Sequence, residues 1–423
     1  MKSNLAPLAP KADKDTVRRH NLSLVLRAVH DEGETTRAAV AARVGLTRAA
    51  VSSLVEQLLE GGFLTESGKT FSGQAGRPGT VLKPARTGAA GVGVEINVDY
   101  TSVCVVDLAG TDRVRLTEHL DNRGGPPAEV LARAARLTAR ALDSARRQEL
   151  RPAGVTLALP GLVAGGTVRQ APNLGWNGVP ADDLFARALA QCPDAPALAV
   201  RSENEANLAA LAELWFGGPD EARTFLYLSG EIGVGGALVL DGELLRGAHG
   251  FAGEIGHVPV DPSGPECRCG ARGCLEQYAG QWALLRGAGI EEGAGAAGVA
   301  ELERRARAGE ERALAALDTA GQMLGRVLAG AVNLLDPQSV VLGGVYRTLS
   351  PWLAPPAGAE LAARVVSGLW PRDSGRLRAS SLAGDAARGA AALVVEAVLD
   401  DPGEWAAGWR QAERDAGPSR APG

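Results

Sequence analysis

One histidine and three cysteines fall close together in the chain: His257, Cys267, Cys269 and Cys274. An imidazole with three potential thiolates makes a tetrahedral N/S shell, the donor set that suits zinc. Gly270 and Gly273 lie between the last two cysteines, where the backbone must fold back for three sulfurs to converge. Four protein ligands leave no open coordination position, so the spacing predicts a structural zinc rather than a hydrolytic one. Five cysteines in 423 residues are too few for a disulfide scaffold, and the cluster indicates a reducing compartment. Cys104 and Cys192 stand alone among apolar neighbours and are expected to be small buried hydrophobes.

A second group of reactive side chains lies near the start. Thr47, Arg48, Ser52 and Ser53 combine short hydroxyls with a guanidinium, which suits phosphates and major-groove base edges if one helix end presents them. The elements that must do so can be read from caps and periodicity. Asp15-Thr16 offers a helix cap, and Leu22, Val25, Leu26 and Val29 follow on one helical face. Thr35-Thr36 can cap a short second helix through Val44, and Arg37 at its start is grouped with the DNA contacts. Ala41 and Gly45 let two helices pack closely at a steep angle, as a helix-turn-helix requires. Leu46-Thr47 opens a third helix, with Val51, Leu54, Val55, Leu58 and Leu59 as its core face and Gly61-Gly62 at its end. Short strands follow at 63–65 and 80–82, with a Gly- and Ser-rich stretch between them that reads as the wing of a winged helix. Arg77, between Gly76 and Pro78, is a narrow projection of the kind that enters an A·T-rich minor groove. Residues 1–86 are therefore expected to form a winged helix-turn-helix DNA-binding domain.

The charge distribution agrees. Residues 1–87 hold 13 basic and 8 acidic side chains, whereas the rest hold 31 and 41. All five lysines lie in the first 83 positions. A basic head on an acidic body suggests that only the head meets a polyanion. The longest uncharged run, 152–168, contains prolines and glycines and cannot be a membrane helix. The first residues are charged before any apolar stretch, so no secretory signal is expected. The expectation is a cytoplasmic protein without a membrane partner.

From residue 89 the pattern changes. Residues 91–98 and 101–107 read as a hairpin of buried strands, followed by a helix over 127–148 and a buried strand at 155–159. A second series has strands at 224–229 and 235–240, helices within 279–336, and a strand at 339–342 leading into Gly343-Gly344. Two α/β lobes with a ligand cleft between them are expected.

These residues carry a resemblance. Residues 251–257 read Phe-Ala-Gly-Glu-Ile-Gly-His, and 267–276 carry the three cysteines, Leu275 and Glu276. With Glu203-Asn204-Glu205 and Asn207, they make residues 88–400 similar to the ROK family of repressors and sugar kinases, within the actin-like sugar kinase superfamily. The winged helix in front resembles the family's repressor branch, such as xylose and N-acetylglucosamine repressors. The resemblance implies an α/β fold, a winged helix-turn-helix followed by a two-lobed ROK domain for sugar binding and dimerisation. The Gly-, Ala- and Pro-rich residues 401–423 read as a loosely held extension, in which Trp405 and Trp409, four apart, can anchor one helical turn. The resemblance also implies that sugar hydroxyls are met by Asn204, Glu254, His257 and Glu276, and by Glu205 where the family carries Asp. One ring nitrogen of His257 would bind zinc while the other faces a hydroxyl.

The alternative is an ATP-dependent sugar kinase, and the sequence departs from it at three places. Glu205 stands at the base position, where its extra methylene moves the carboxylate by about 1.5 Å, enough to be costly for catalysis. The first turn reads Glu95-Ile96-Asn97-Val98 without the family's Gly-Gly-Thr, so side chains hinder the approach to phosphates. Glu231 stands in the second loop, where the kinases carry Thr and where its charge repels a triphosphate. The expectation is no enzyme but a sugar-responsive repressor of carbohydrate-utilisation genes. Its partners would be operator DNA and a monosaccharide or sugar derivative, with a homodimer or dimer of dimers as the acting form.

Overall fold

Gly45 takes the left-handed conformation at φ 71°, and the chain turns by 115° between the helices Arg37–Val44 and Arg48–Glu60. That is helix-turn-helix geometry. Both helices start on a threonine cap: Thr36 accepts from the Ala39 N–H and Thr47 from the Ala50 N–H. Each cap contributes about 1 kcal/mol. The first helix is Lys14–Glu32, capped by Asp13, whose carboxylate accepts from the Thr16 N–H at 2.7 Å. The cap expected at Asp15-Thr16 is thus displaced by two residues. Asp13 has the three-residue spacing to Thr16 that a cap needs, while Asp15 sits in the first turn. Strands Leu64–Thr70 and Gly79–Pro84 pair antiparallel, and the two-residue strand Thr35–Thr36, which the sequence pattern missed, joins Gly79–Pro84.

This computed structural model describes residues 13–70, 79–217, 222–371, 374–382 and 386–406. Arg77 lies outside them, as does the end of the C-terminal extension.

Two five-stranded sheets form the body, and they share one topology. The first runs Val200–Asn204, Leu150–Leu159, Gly88–Ile96, Tyr100–Asp107, Asp112–His119. Its first three members are parallel and its last three form an antiparallel meander. The second repeats the order with Leu377–Ala379, Ser339–Gly344, Phe225–Gly230, Val234–Leu240 and Glu243–Leu244. The strand Asp112–His119 was not anticipated. It is an edge strand with most side chains in solvent, so its residues need no apolar signature. Parallel neighbours need helical crossovers. Pro127–Arg147 supplies one, burying Val130, Leu131, Ala134, Leu137, Ala141 and Leu142 against the first sheet. Cys104 is fully buried and Cys192 half-buried. Among the described residues no single helix is long and apolar enough to cross a membrane.

The last long helix, Ala386–Asp400, lies across strands Gly88–Ile96 and Leu150–Leu159 and against helix Glu205–Phe216. Gly93 permits the approach, since a Cβ there would fall 1.8 Å from the Ala387 carbonyl oxygen. The same helix holds the head. Arg19, Ser23 and Arg27 lie one turn apart on the first helix and all reach it or the residue after it. Ser23 Oγ donates to the Leu399 carbonyl at 2.8 Å, and Arg27 binds Glu396 at 2.9 Å and Asp400 at 2.6 Å. Arg19 lies 3.8 Å from Asp401. Beside these contacts Leu22, Val25, Leu26 and Val29 share one apolar cluster with Val394, Val395, Val398 and Leu399. The chain segments divide near residue 87, but the hydrophobic core of the head continues into the body. The extension from Asp401 opens with a packed turn at one of the two tryptophans expected to anchor it: Trp405 joins this cluster and donates to the Ala397 carbonyl at 3.4 Å, while Trp409 lies outside the described residues.

Candidate ligand cavity, metal cluster and DNA-facing helix

A short 3-10 turn, Ile255–His257, presents His257 beside a loop that returns on itself through bridges between Pro259 and Cys274 and between Glu266 and Arg272. Gly273 makes the return possible: its φ is +65°, and a Cβ there would fall 1.6 Å from the Asp261 carbonyl oxygen. The loop brings the sulfurs of Cys269 and Cys274 to 3.7 Å, and Cys267 Sγ to 3.7 Å from His257 Nδ1. All four donor atoms lie within 4.8 Å of one another. Sulfur bonds of about 2.3 Å arranged tetrahedrally place sulfurs about 3.8 Å apart, so the set fits a four-coordinate ion. Burial, then the neighbouring cysteines, push the Cys274 thiol up to about 12 in the absence of a metal. A protonated thiol gains little from such proximity, whereas a divalent cation displaces its proton.

The same loop walls a cavity between the lobes. Asn204, Glu205, Glu254, His257 and Glu276 all line it. Asn204 caps helix Glu205–Phe216: its Oδ1 accepts from the N–H groups of Ala206 and Asn207, and its Nδ2 donates to the Gly161 carbonyl. One amide N–H is then left for a ligand. His257 turns Nδ1 to the cysteines and Nε2 to Glu254, whose Oε2 is 3.8 Å away. Ligation through Nδ1 would leave Nε2 as a donor on the cavity side. Burial holds Glu254 above the usual carboxylate range; His257 opposes the shift and Glu276 adds to it. Gly233 admits Glu276 to the wall, since a Cβ there would fall 1.9 Å from Glu276 Oε2.

Glu205 shares the inner side of the cavity with further carboxylates. Burial, and then the charge of Glu95, push Glu205 up to about 8. Its Oε2 is shut off from solvent without a hydrogen-bond partner. Glu231 is pushed well up by burial, then by Glu205, Glu95 and Asp99. Glu95 is 5% exposed and accepts from the Tyr100 hydroxyl and the Ala387 N–H. Glu205 at its ordinary value near 4.5 in the unfolded chain and about 8 in the folded one destabilises the protein as it ionises. The favourable contribution is complete below pH 4.5 and lost as pH rises through 8. Glu205→Gln should therefore raise stability by roughly 1–3 kcal/mol at pH 9 and change it little at pH 4. Thermal melts of parent and variant across that range test it; equal gains at both ends would refute the assignment.

Asn173 and Arg268 also line the cavity and were not singled out from the sequence. Arg268 had a readable signal, because it sits between two of the cysteines. Asn173 had none. It comes from the first lobe and accepts from Arg268 Nη1 at 3.2 Å across the cleft.

On the head, Thr47 and Arg48 are exposed and Ser52 half-buried at the start of helix Arg48–Glu60. Arg48 has no ion-pair partner among the described residues. Arg37 differs: its guanidinium binds Glu56 at 2.7 Å and also Glu66. It ties the second helix to the third and to the strand Leu64–Thr70, so it braces the helix Arg48–Glu60.

Two lobes of like topology around a polar cavity define the actin-like sugar-kinase fold, here preceded by a winged helix-turn-helix. The pattern of the ROK family matches residues 91–397, and the chain belongs to that family. The xylose repressor of Caldicellulosiruptor bescii is 30% identical over 338 residues, covering 76% of this chain and 82% of its own. A crystal structure of a ROK family transcriptional regulator, a homologue of the Escherichia coli MLC protein, aligns with a TM-score of 0.73 at 23% identity. It covers 91% of this chain and 97% of its own. A ROK glucokinase from Streptomyces griseus, crystallised with glucose and AMPPNP, aligns with a TM-score of 0.60 at 26% identity. It covers 72% of this chain and 98% of its own, a share of this chain that the body alone can account for.

Proposed function

We propose that the chain is a sugar-responsive transcriptional repressor of carbohydrate-utilisation genes, acting in the cytoplasm as a homodimer or dimer of dimers. One observation carries the reading: a helix-turn-helix with an exposed Arg48 shares its core with a body whose interlobe cavity is lined by Asn204, Glu205, Glu254, His257 and Glu276. The named relative is a xylose repressor, and a ROK regulator matches head and body together. A structural zinc held by His257, Cys267, Cys269 and Cys274 would fix the ring of His257 and the loop that walls the cavity. Sugar hydroxyls would accept from His257 Nε2 and Asn204 and donate to Glu254 and Glu276.

The kinase reading fails on the same cavity. Glu205 and Glu231 stand buried at the cavity where the family's kinases carry Asp and Thr, so neither the base nor the phosphate loop has the kinase pattern.

Asn204 also gives the cavity a route to the head. It caps helix Glu205–Phe216, which packs on Ala386–Asp400, which holds the first helix of the head. Sugar that favours one degree of lobe closure would thereby change the spacing of the two heads of a dimer. Gel shift with operator DNA, with and without sugars, tests the whole reading. Arg48→Ala is expected to weaken operator binding by roughly tenfold and to relax base preference, as loss of one base contact does. Unchanged affinity and preference would remove the helix Arg48–Glu60 from the DNA interface.

A further inference from the structure

A second chamber adjoins the cavity at Arg268. The second holds about 140 Å³ against about 80 Å³ for the first. They share Asn173, Arg268 and Glu276 as a common wall. Beyond that wall the second chamber is built from Gln277, Trp282, Arg286 and Glu292.

Its chemistry matches a sugar ring. Arg268 and Arg286 are outnumbered by Glu266, Glu276 and Glu292, so no excess of positive charge invites a phosphate. Arg286 is already paired with Glu292 at 2.8 Å. Planar donors and acceptors lie beside one aromatic surface, which is what hydroxyls and C–H faces require together. Arg268 is held firmly. Its guanidinium lies 4.4 Å from the centre of the Trp282 ring, its Nη1 donates to Asn173, and cysteines flank it on both sides. A side chain fixed in this way at the junction of two polar chambers can touch both halves of one ligand.

We propose that the effector is larger than one ring, a disaccharide or other glycoside. One ring occupies the chamber of Asn204, Glu254 and His257, and the second occupies the chamber of Arg268, Trp282 and Arg286. The proposal rests on the sugar-sensor reading and deepens it.

Calorimetry on the full, metal-loaded chain tests it, with xylose, glucose and N-acetylglucosamine set against xylobiose, cellobiose, maltose and chitobiose. At least one disaccharide should bind tenfold or more tightly than its own monosaccharide. Trp282→Ala should lower that affinity about tenfold and, through the Arg268 that it holds, lower the monosaccharide's by clearly less. Arg286→Ala, on a more exposed side chain, should act in the same direction by about threefold without disturbing the fold. A monosaccharide that binds as tightly as its disaccharide, or variants that weaken both ligands equally, would overturn the second ring and leave the sensor intact. If no sugar binds at all, both fall.

Discussion

Cys274→Ser should lose the bound metal and several kcal/mol of stability together, lowering Tm on the order of 10 °C. Cys274 is fully buried at the centre of the returning loop, and its sulfur lies 3.7 Å from that of Cys269. A serine hydroxyl is a poor ligand at neutral pH, and three remaining ligands hold zinc far more weakly than four. The loop also carries Arg268 and precedes Glu276, so the sugar response should disappear with the metal. Packing alone could cost stability at a buried position, and Cys269→Ser separates the two causes. Cys269 is exposed, so its variant should lose metal while sparing the apolar packing. Metal analysis of protein purified without chelator should give about one zinc per chain for the parent and almost none for either variant. A parent protein without zinc, or variants that keep it, would refute the site.

Glu254→Gln should weaken sugar binding about ten- to a hundredfold, with folding, metal content and sugar-free operator affinity nearly unchanged. The carboxylate faces His257 Nε2 across 3.8 Å at the cavity wall, whereas the helix Arg48–Glu60 belongs to the head. A hydrogen bond to a charged group contributes roughly 1.5–3 kcal/mol, and the amide replaces it with a weaker acceptor. Burial raises the pKa of Glu254, so the parent should bind sugar more tightly as pH rises through that value and the carboxylate ionises. The variant should lose this part of the pH dependence. Calorimetry at several pH values, with operator binding across a sugar series, decides the matter. Normal sugar affinity in the variant would exclude Glu254 from the site.

Much of this was legible in the sequence because it is local. The four metal donors lie within one loop, and the glycines that bend it lie between them. The head's helices announce themselves through threonine caps and spaced Val and Leu residues. The cavity residues were reached through motif resemblance, since nothing in the spacing of Asn204 and Glu254 says that they meet. Pairings across long separations were the losses. Arg37, grouped with the DNA contacts from its sequence position, has Glu56 and Glu66 around it in the fold. Asn173 carries no sequence signal, and only the fold brings Arg268 to it. The sequence of the helix Ala386–Asp400 is apolar nearly all round, which signals burial on every side. Its several partners could not be named without the fold.

That helix has a consequence for anyone who would transplant the DNA specificity of this protein. Residues 13–84 look like a detachable module, but part of their apolar surface is completed by Val394, Val395, Val398 and Leu399 from the far end of the chain. Each of these buried side chains contributes roughly 1.5–3 kcal/mol, comparable with the total stability of so small a unit. A hybrid made by grafting the head alone onto a foreign body would carry a raw hydrophobic seam and the unmatched cations Arg19 and Arg27. A working chimera must exchange both termini at once, with the closing helix travelling alongside the reading head.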